Sequence, residues 1–290
     1  MLLSIALILI AGMSMGWLCK KMKLPSLLGM LAAGILLGPY VLDLLDESIL
    51  GISSELRRIA LIIILTRAGF GLDMSELKKT GRQAVLMCFV PASFEVIGIV
   101  LLAPWLMGLS VIEAAVMGAV LAAVSPAVVV PRMVKLMDEG YGVKKGIPQL
   151  ILAGASVDDV YVIVLFSTFV GMMQGEGASV MSFINIPVSI ILGMAIGLVI
   201  GMMLAYYFKN VHIRDTAKVL IILSISLLLA AAEDALTTPI TFSALIAVMF
   251  IGIGLQKKCR IVAERLSVKY GKMWVAAEVL LFVLVGATVD

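Results

Sequence analysis

The sequence predicts an all-α polytopic membrane protein of about ten transmembrane helices, and three observations carry that prediction. Of the 290 residues, 62% are hydrophobic and only 14% charged, with a mean hydropathy of +1.15. Soluble domains run near ~45–50% apolar and ~25% charged, so a soluble fold is excluded. Several stretches of ~18 or more residues carry almost no charge, which is the length a helix needs to cross hydrocarbon. Finally, the cationic residues collect in alternate connections between those stretches.

Taken in order, the first apolar segment, 2–19, has neither the basic start nor the small-residue cleavage site of a signal peptide, so it is expected to stay as a span. The second, 24–42, sets Gly29, Ala33, Gly34 and Gly38 at spacings that let helices pack closely. Further segments follow at 57–72, 84–107, 111–130, 147–172, 182–208, 217–234, 239–255 and 273–289. The linkers are short, and no Ser-rich or Pro-rich tract marks a second domain, so residues 1–290 read as a single transmembrane domain.

Lys20, Lys21 and Lys23 follow the first segment, and Lys78, Lys79 and Arg82 the third. Arg132, Lys135, Lys144 and Lys145 follow the fifth, and Lys209, Arg214 and Lys218 the seventh. With the run from Lys257 to Lys272 after the ninth, 19 of 22 cationic residues lie in alternate connections. Positive connections stay cytoplasmic, so the amino terminus is expected outside a cell (inner) membrane, crossed many times. A lipid bilayer is the expected partner, and no nucleic acid is. Cys19, Cys88 and Cys259 share no CxxC spacing, and the lone His212 sits in a basic loop, so neither a disulfide framework nor a zinc site is expected.

Ionisable groups at membrane depth are costly and are functional candidates by default. Arg67, Glu95, Asp158 and Asp159 qualify. The aspartates are adjacent in GASVDDVYVIVLF, midway through the sixth segment. The other reading of that stretch is a pair of re-entrant halves with a polar tip. On a helix, neighbours point ~100° apart, so the two carboxylates cannot close face to face as a catalytic dyad. A carboxylate out of water needs either a proton or a cation beside it, and holding one excludes the other. That competition is the simplest antiport mechanism.

A sodium ion needs more oxygens than two carboxylates supply. The fifth segment ends AAVSPAVVVP, where Pro126 lacks an N–H and clashes with the carbonyl one turn earlier. Ser125 is pushed toward extended geometry. The proline either kinks the helix or breaks it. A break would free the carbonyls around Val124 and present the Ser125 hydroxyl, and broken helices are where transporters bind ions. The Asp158–Asp159 pair on the next helix favours the site. Glu95, inside VPASFEVIGIV, reads as a structural ion-pair member rather than an ion ligand, and Arg67 is the one cation visible at membrane depth. A sodium-coupled symporter is the alternative function. It would need polar groups for a substrate, and Gln149, Asn185 and Thr241 are scattered. An intramembrane aspartyl protease needs aspartates from different helices, and a channel needs a filter motif.

The succession PSLLGMLAAGILLGP, RAGFGLD, SPAVVVP, GYGVKKGIP, ASVDD and LLFVLVGATV, from about residue 24 to the end, resembles the NHA branch of cation/proton antiporters. The resemblance implies an inverted-repeat fold with two crossing broken helices, a dimerisation domain, a homodimer and elevator-like alternating access. It implies that Asp158 and Asp159 bind sodium or lithium in competition with protons, with no cofactor. It also places the Val124 carbonyl and Ala155 at the ion site, and pairs Glu95 with an arginine on a later helix. Family members continue beyond the position of Asp290. The domain is therefore expected to be incomplete at its C-terminus, and the 290-residue form to transport poorly, with Glu95 uncompensated.

Overall fold

The computed structural model describes residues 1–71, 74–124, 126–173, 180–236 and 242–289, and every regular element among them is helical. The chain divides into two compact units, Met1–Ile64 with Val268–Asp290, and Leu65–Ser267, the boundaries falling inside two helices.

The first unit holds α1 (Leu2–Lys21), α2 (Ser26–Leu37), the short α3 (Glu47–Gly51), most of α4 (Ser53–Gly71) and the end of α12 (Arg260–Ala287). Small residues decide its packing. Gly12 and Gly16 are buried on α1, and a side chain at Gly12 would run into Val279 and Val283 of α12. Asp46 caps α3 by accepting from the Ser48 backbone N–H at 2.9 Å, and the Ser48 hydroxyl donates to the same carboxylate. These bonds, the hydroxyl first, hold the Asp46 carboxyl down at about 2. Trp17 is exposed near the end of α1, with the Lys21 ammonium 5.4 Å above its ring.

The second unit begins within α4 and contains α5 (Met74–Met107), α6 (Val111–Ala122), α7 (Pro126–Asp138), a 3₁₀ turn at Val143–Lys145, α8 (Ile147–Met173), α9 (Val180–Asn210), α10 (Asp215–Ala235) and α11 (Ala244–Lys258). Ser110 and Glu113 start α6 with a reciprocal capping box, which satisfies two N–H groups that the first turn would leave free. Every residue of α11 from Ile246 to Leu255 is buried. At the start of α10, Asp215 takes Lys218 at 3.5 Å and Arg265 at 3.1 Å, one carboxylate between two cations.

Among the described residues, five helices are long and apolar enough by themselves to cross a membrane: α1, α5 from Gly81, α9 from Val188, α10 and α12. The fifth segment, 111–130, is two helices, the broken form that Pro126 allows. The third, fourth and tenth segments differ from the sequence reading by beginning before their apolar stretches, at Ser53, Met74 and Arg260. Charged turns continue a helix beyond hydrocarbon, where water satisfies the side chains, and hydropathy does not register them.

Candidate functional site

Asp158 lies on α8 and is 3% exposed. Leu152, Ala155, Asp158, Val162 and Leu165 are all buried and recur every three or four residues, so the aspartate shares the apolar stripe of its helix. That stripe meets α5 and α6. Ala92 and Val96 from α5, Ala119 and Ala122 from α6, and Val162 and Leu165 from α8 form one core, with Val100, Tyr161 and Phe169 against it. The small residues of α6, from Ala114 to Ala122, let the three helices approach.

Immediately beyond this core the fifth segment breaks. α6 stops at Ala122, Ala123 is extended (φ −64°, ψ 119°), and α7 starts at Pro126. Proline suits the first position of a helix and is hostile to continuation of the preceding one, so the residue that ends α6 also begins α7. The break leaves a carbonyl-rich, partly negative end on α6 and an N–H-rich, partly positive start on α7. The first attracts a cation and the second a carboxylate.

Both carboxylate oxygens of Asp158 are buried and close no hydrogen bond among the described residues. Val124, 39% exposed at the break, turns its backbone amide toward that carboxylate without completing a bond. Cys88 and Glu95 of α5 lie within electrostatic range of it. A charge out of water and without a partner is strongly unfavourable, so this carboxylate takes up a proton or a cation. The arrangement thus offers one acid, a helix end and free backbone groups to whichever of the two arrives.

Of the residues singled out in the sequence, Asp158 and Val124 come together, and Ala155, 6% exposed, lies one turn before Asp158 on the same stripe. Ser125 and Thr241 lie outside the described residues, as do the side chains of Asp159 and Asn185. Glu95 is exposed on α5 and closes no ion pair among the described residues. Arg67 does not serve as its partner: the buried Nε of Arg67 has no hydrogen-bond partner there either. Gln149 is buried near the start of α8. Sequence reasoning passed over Ser93 and Tyr161, and weighed Cys88 only as a disulfide or zinc ligand. Tyr161 was findable, because it stands three residues after Asp158, where helical neighbours meet.

The family described as "Sodium/hydrogen exchanger, transmembrane" matches residues 5–290. The chain belongs to that family. Members of the sodium/hydrogen exchanger family are cation/proton transporters and not enzymes, which sets aside the protease reading. Sodium/hydrogen exchanger 9B2 of Homo sapiens is 42% identical over 186 residues, 63% of this chain and 34% of that protein. Sodium/hydrogen exchanger 9B1 of Homo sapiens is 36% identical over 203 residues, covering 67% and 37%. The chain spans about a third of the length of these relatives. Among solved structures, the sodium proton antiporter MjNhaP1 from Methanocaldococcus jannaschii superposes with a TM-score of 0.79 over 99% of this chain and 69% of that one, at 20% identity. At that identity the likeness establishes the antiporter fold.

Proposed function

We propose that this exchanger-family chain swaps a monovalent cation, sodium or lithium, for protons across a cell (inner) membrane, by alternating access. Asp158 and Asp159 hold cation and proton in competition, with the backbone at Val124, the Ser125 hydroxyl and the wall at Ala155 completing the site. The observation that carries the reading is the Asp158 carboxylate, buried among apolar helices with both oxygens unpartnered among the described residues, beside a helix broken at Ala123. Such a group has two ways to be compensated, and they exclude each other. Arrival of sodium therefore expels the proton, and arrival of a proton expels sodium.

Residues 1–290 are read as one exchanger transmembrane domain that works as a homodimer, with its amino terminus outside. Glu95 is read as half of a structural ion pair. Alternating access has ample driving force, since one charge moved through ~100 mV is worth ~2.3 kcal/mol.

The test is sodium-dependent dissipation of a pH gradient in proteoliposomes, with the 290-residue chain and with a form extended past Asp290. Wild type is expected to respond to sodium or lithium, at least in the extended form, while Asp158→Asn and Asp159→Asn do not. Silence of both wild-type forms, or unimpaired exchange by the Asn variants, defeats the proposal.

A further inference from the structure

We propose that Tyr161 is a positioning residue for the Asp158 site, its hydroxyl pinning the turn of α8 that carries the aspartate to α5 through Ser93. The inference rests on the cation-site reading above and adds to it a residue that contacts neither cation nor proton.

Proton counting fixes the direction of the bond. The Ser93 hydroxyl donates to the Phe89 carbonyl one turn earlier at 2.7 Å. A hydroxyl has a single proton, so at the 2.8 Å contact between Ser93 Oγ and Tyr161 Oη the tyrosine is the donor and the serine the acceptor. Tyr161 thus donates from α8 into α5. Its ring is fixed as well, standing edge-on to Phe89 with centroids 5.2 Å apart and planes at 90°. One turn of α5, Phe89 to Ser93, therefore holds Tyr161 by ring and by hydroxyl together.

The placement of the two partners gives the bond its purpose. Tyr161 is three residues beyond Asp158, on the adjoining part of the same helix face. Ser93 is two residues before Glu95. A single interhelical hydrogen bond therefore ties the turn bearing the buried aspartate to the turn bearing the neighbouring acid. The buried residues of that core are apolar: Ala92, Val96, Ala119, Ala122, Val162 and Leu165. Apolar contacts resist separation but tolerate rotation and sliding, whereas a hydrogen bond fails steeply below ~120°. Without the hydroxyl, α8 remains packed but loses a directional contact that helps fix how far round its axis Asp158 sits.

The test measures sodium-dependent thermal stabilisation of the purified chain, reading the sodium concentration at half-effect, for wild type, Tyr161→Phe, Ser93→Ala, the double variant, Ser93→Thr and Asp158→Asn. Tyr161→Phe keeps the ring and removes only the proton donor. We expect each of Tyr161→Phe and Ser93→Ala to raise the half-effect concentration about tenfold, the size of one lost hydrogen bond. The double variant should match either single one, because both remove the same bond, and Ser93→Thr should restore the wild-type value. A half-effect concentration unchanged in Tyr161→Phe, or single effects that multiply in the double variant, overturns the positioning role. Asp158→Asn separates the two levels. If it abolishes the sodium effect while Tyr161→Phe behaves as wild type, only the positioning role falls. If Asp158→Asn is stabilised like wild type, the carboxylate site falls and the positioning role with it.

Discussion

Two helix junctions of the same unit are built from the same small residues to opposite ends. Where α9 meets α11, a Cβ at Gly193 would stand 2.6 Å from the Ser243 carbonyl, and at Gly197 and Gly201 it would press on the Ala247 and Ile251 carbonyls. Where α8 meets α5, the tightest of the described glycines, Gly154, has its nearest neighbour, Met87 Cβ, at 3.3 Å. The α9–α11 seam is backbone against backbone, around a helix buried for most of its length. The α5–α6–α8 junction holds a carboxylate unpartnered among the described residues, a hydroxyl pair and a helix break. The lesson is that close packing and function are separated within one unit: one seam leaves no slack, and the other keeps polar groups that a tighter seam would expel.

The comparison breaks if the two seams respond alike to an added methyl. Gly197→Ala should show the largest effect, a loss of ~1–3 kcal/mol or more, because carbonyl backbone has nowhere to retreat. Gly154→Ala should cost under about 1 kcal/mol, since Met87 Cβ at 3.3 Å and the Met87 carbonyl at 3.4 Å need to give by only a small fraction of an ångström. Thermal unfolding of the purified variants in one detergent decides this, and equal losses would contradict the distinction drawn here.

Asp158→Asn sharpens the same contrast with an opposite sign. Removing a buried charge that has no partner among the described residues should raise the melting temperature in sodium-free buffer even as the sodium response disappears. A variant that melts markedly lower would mean that the carboxylate is already compensated within the fold.

The smallest effect lies outside both seams. Asp46 is held at about 2, chiefly by the Ser48 hydroxyl and then by the Ser48 backbone N–H. Because its folded value is depressed, its contribution to α3 is present above the ordinary carboxyl value of 3.8 and is lost as pH falls through about 2. Ser48→Ala should move the Asp46 titration, followed by NMR of the carboxyl carbon, back up toward 3.8.

Much of this was legible in residues. The apolar segments, the alternating cations and the adjacent aspartates were readable because lipid imposes length and punishes charge. The break at Pro126 was readable as a possibility, since a missing N–H forbids continuation, but the choice between kink and break depends on what neighbours the free backbone. The charged extensions of α4, α5 and α12 were not readable by hydropathy. A period-3.6 reading would have helped at α12, where Arg260 and Glu264 pair at 2.9 Å one turn apart. The Ser93–Tyr161 bond needed coordinates, because it joins residues 68 apart in the chain. Nothing in either local pattern names the other.

Trp17 and Lys21, stacked at the end of α1, have a bearing on which lipid suits the protein. An indole that favours the headgroup layer, beneath an ammonium that reaches past it to water, acts as a float at a fixed depth. In a bilayer thicker or thinner than the apolar length of α1, that float stays where it is and the lipid must stretch or thin around it. The pair thereby sets a preferred membrane thickness for this part of the protein, by a device with no share in binding an ion.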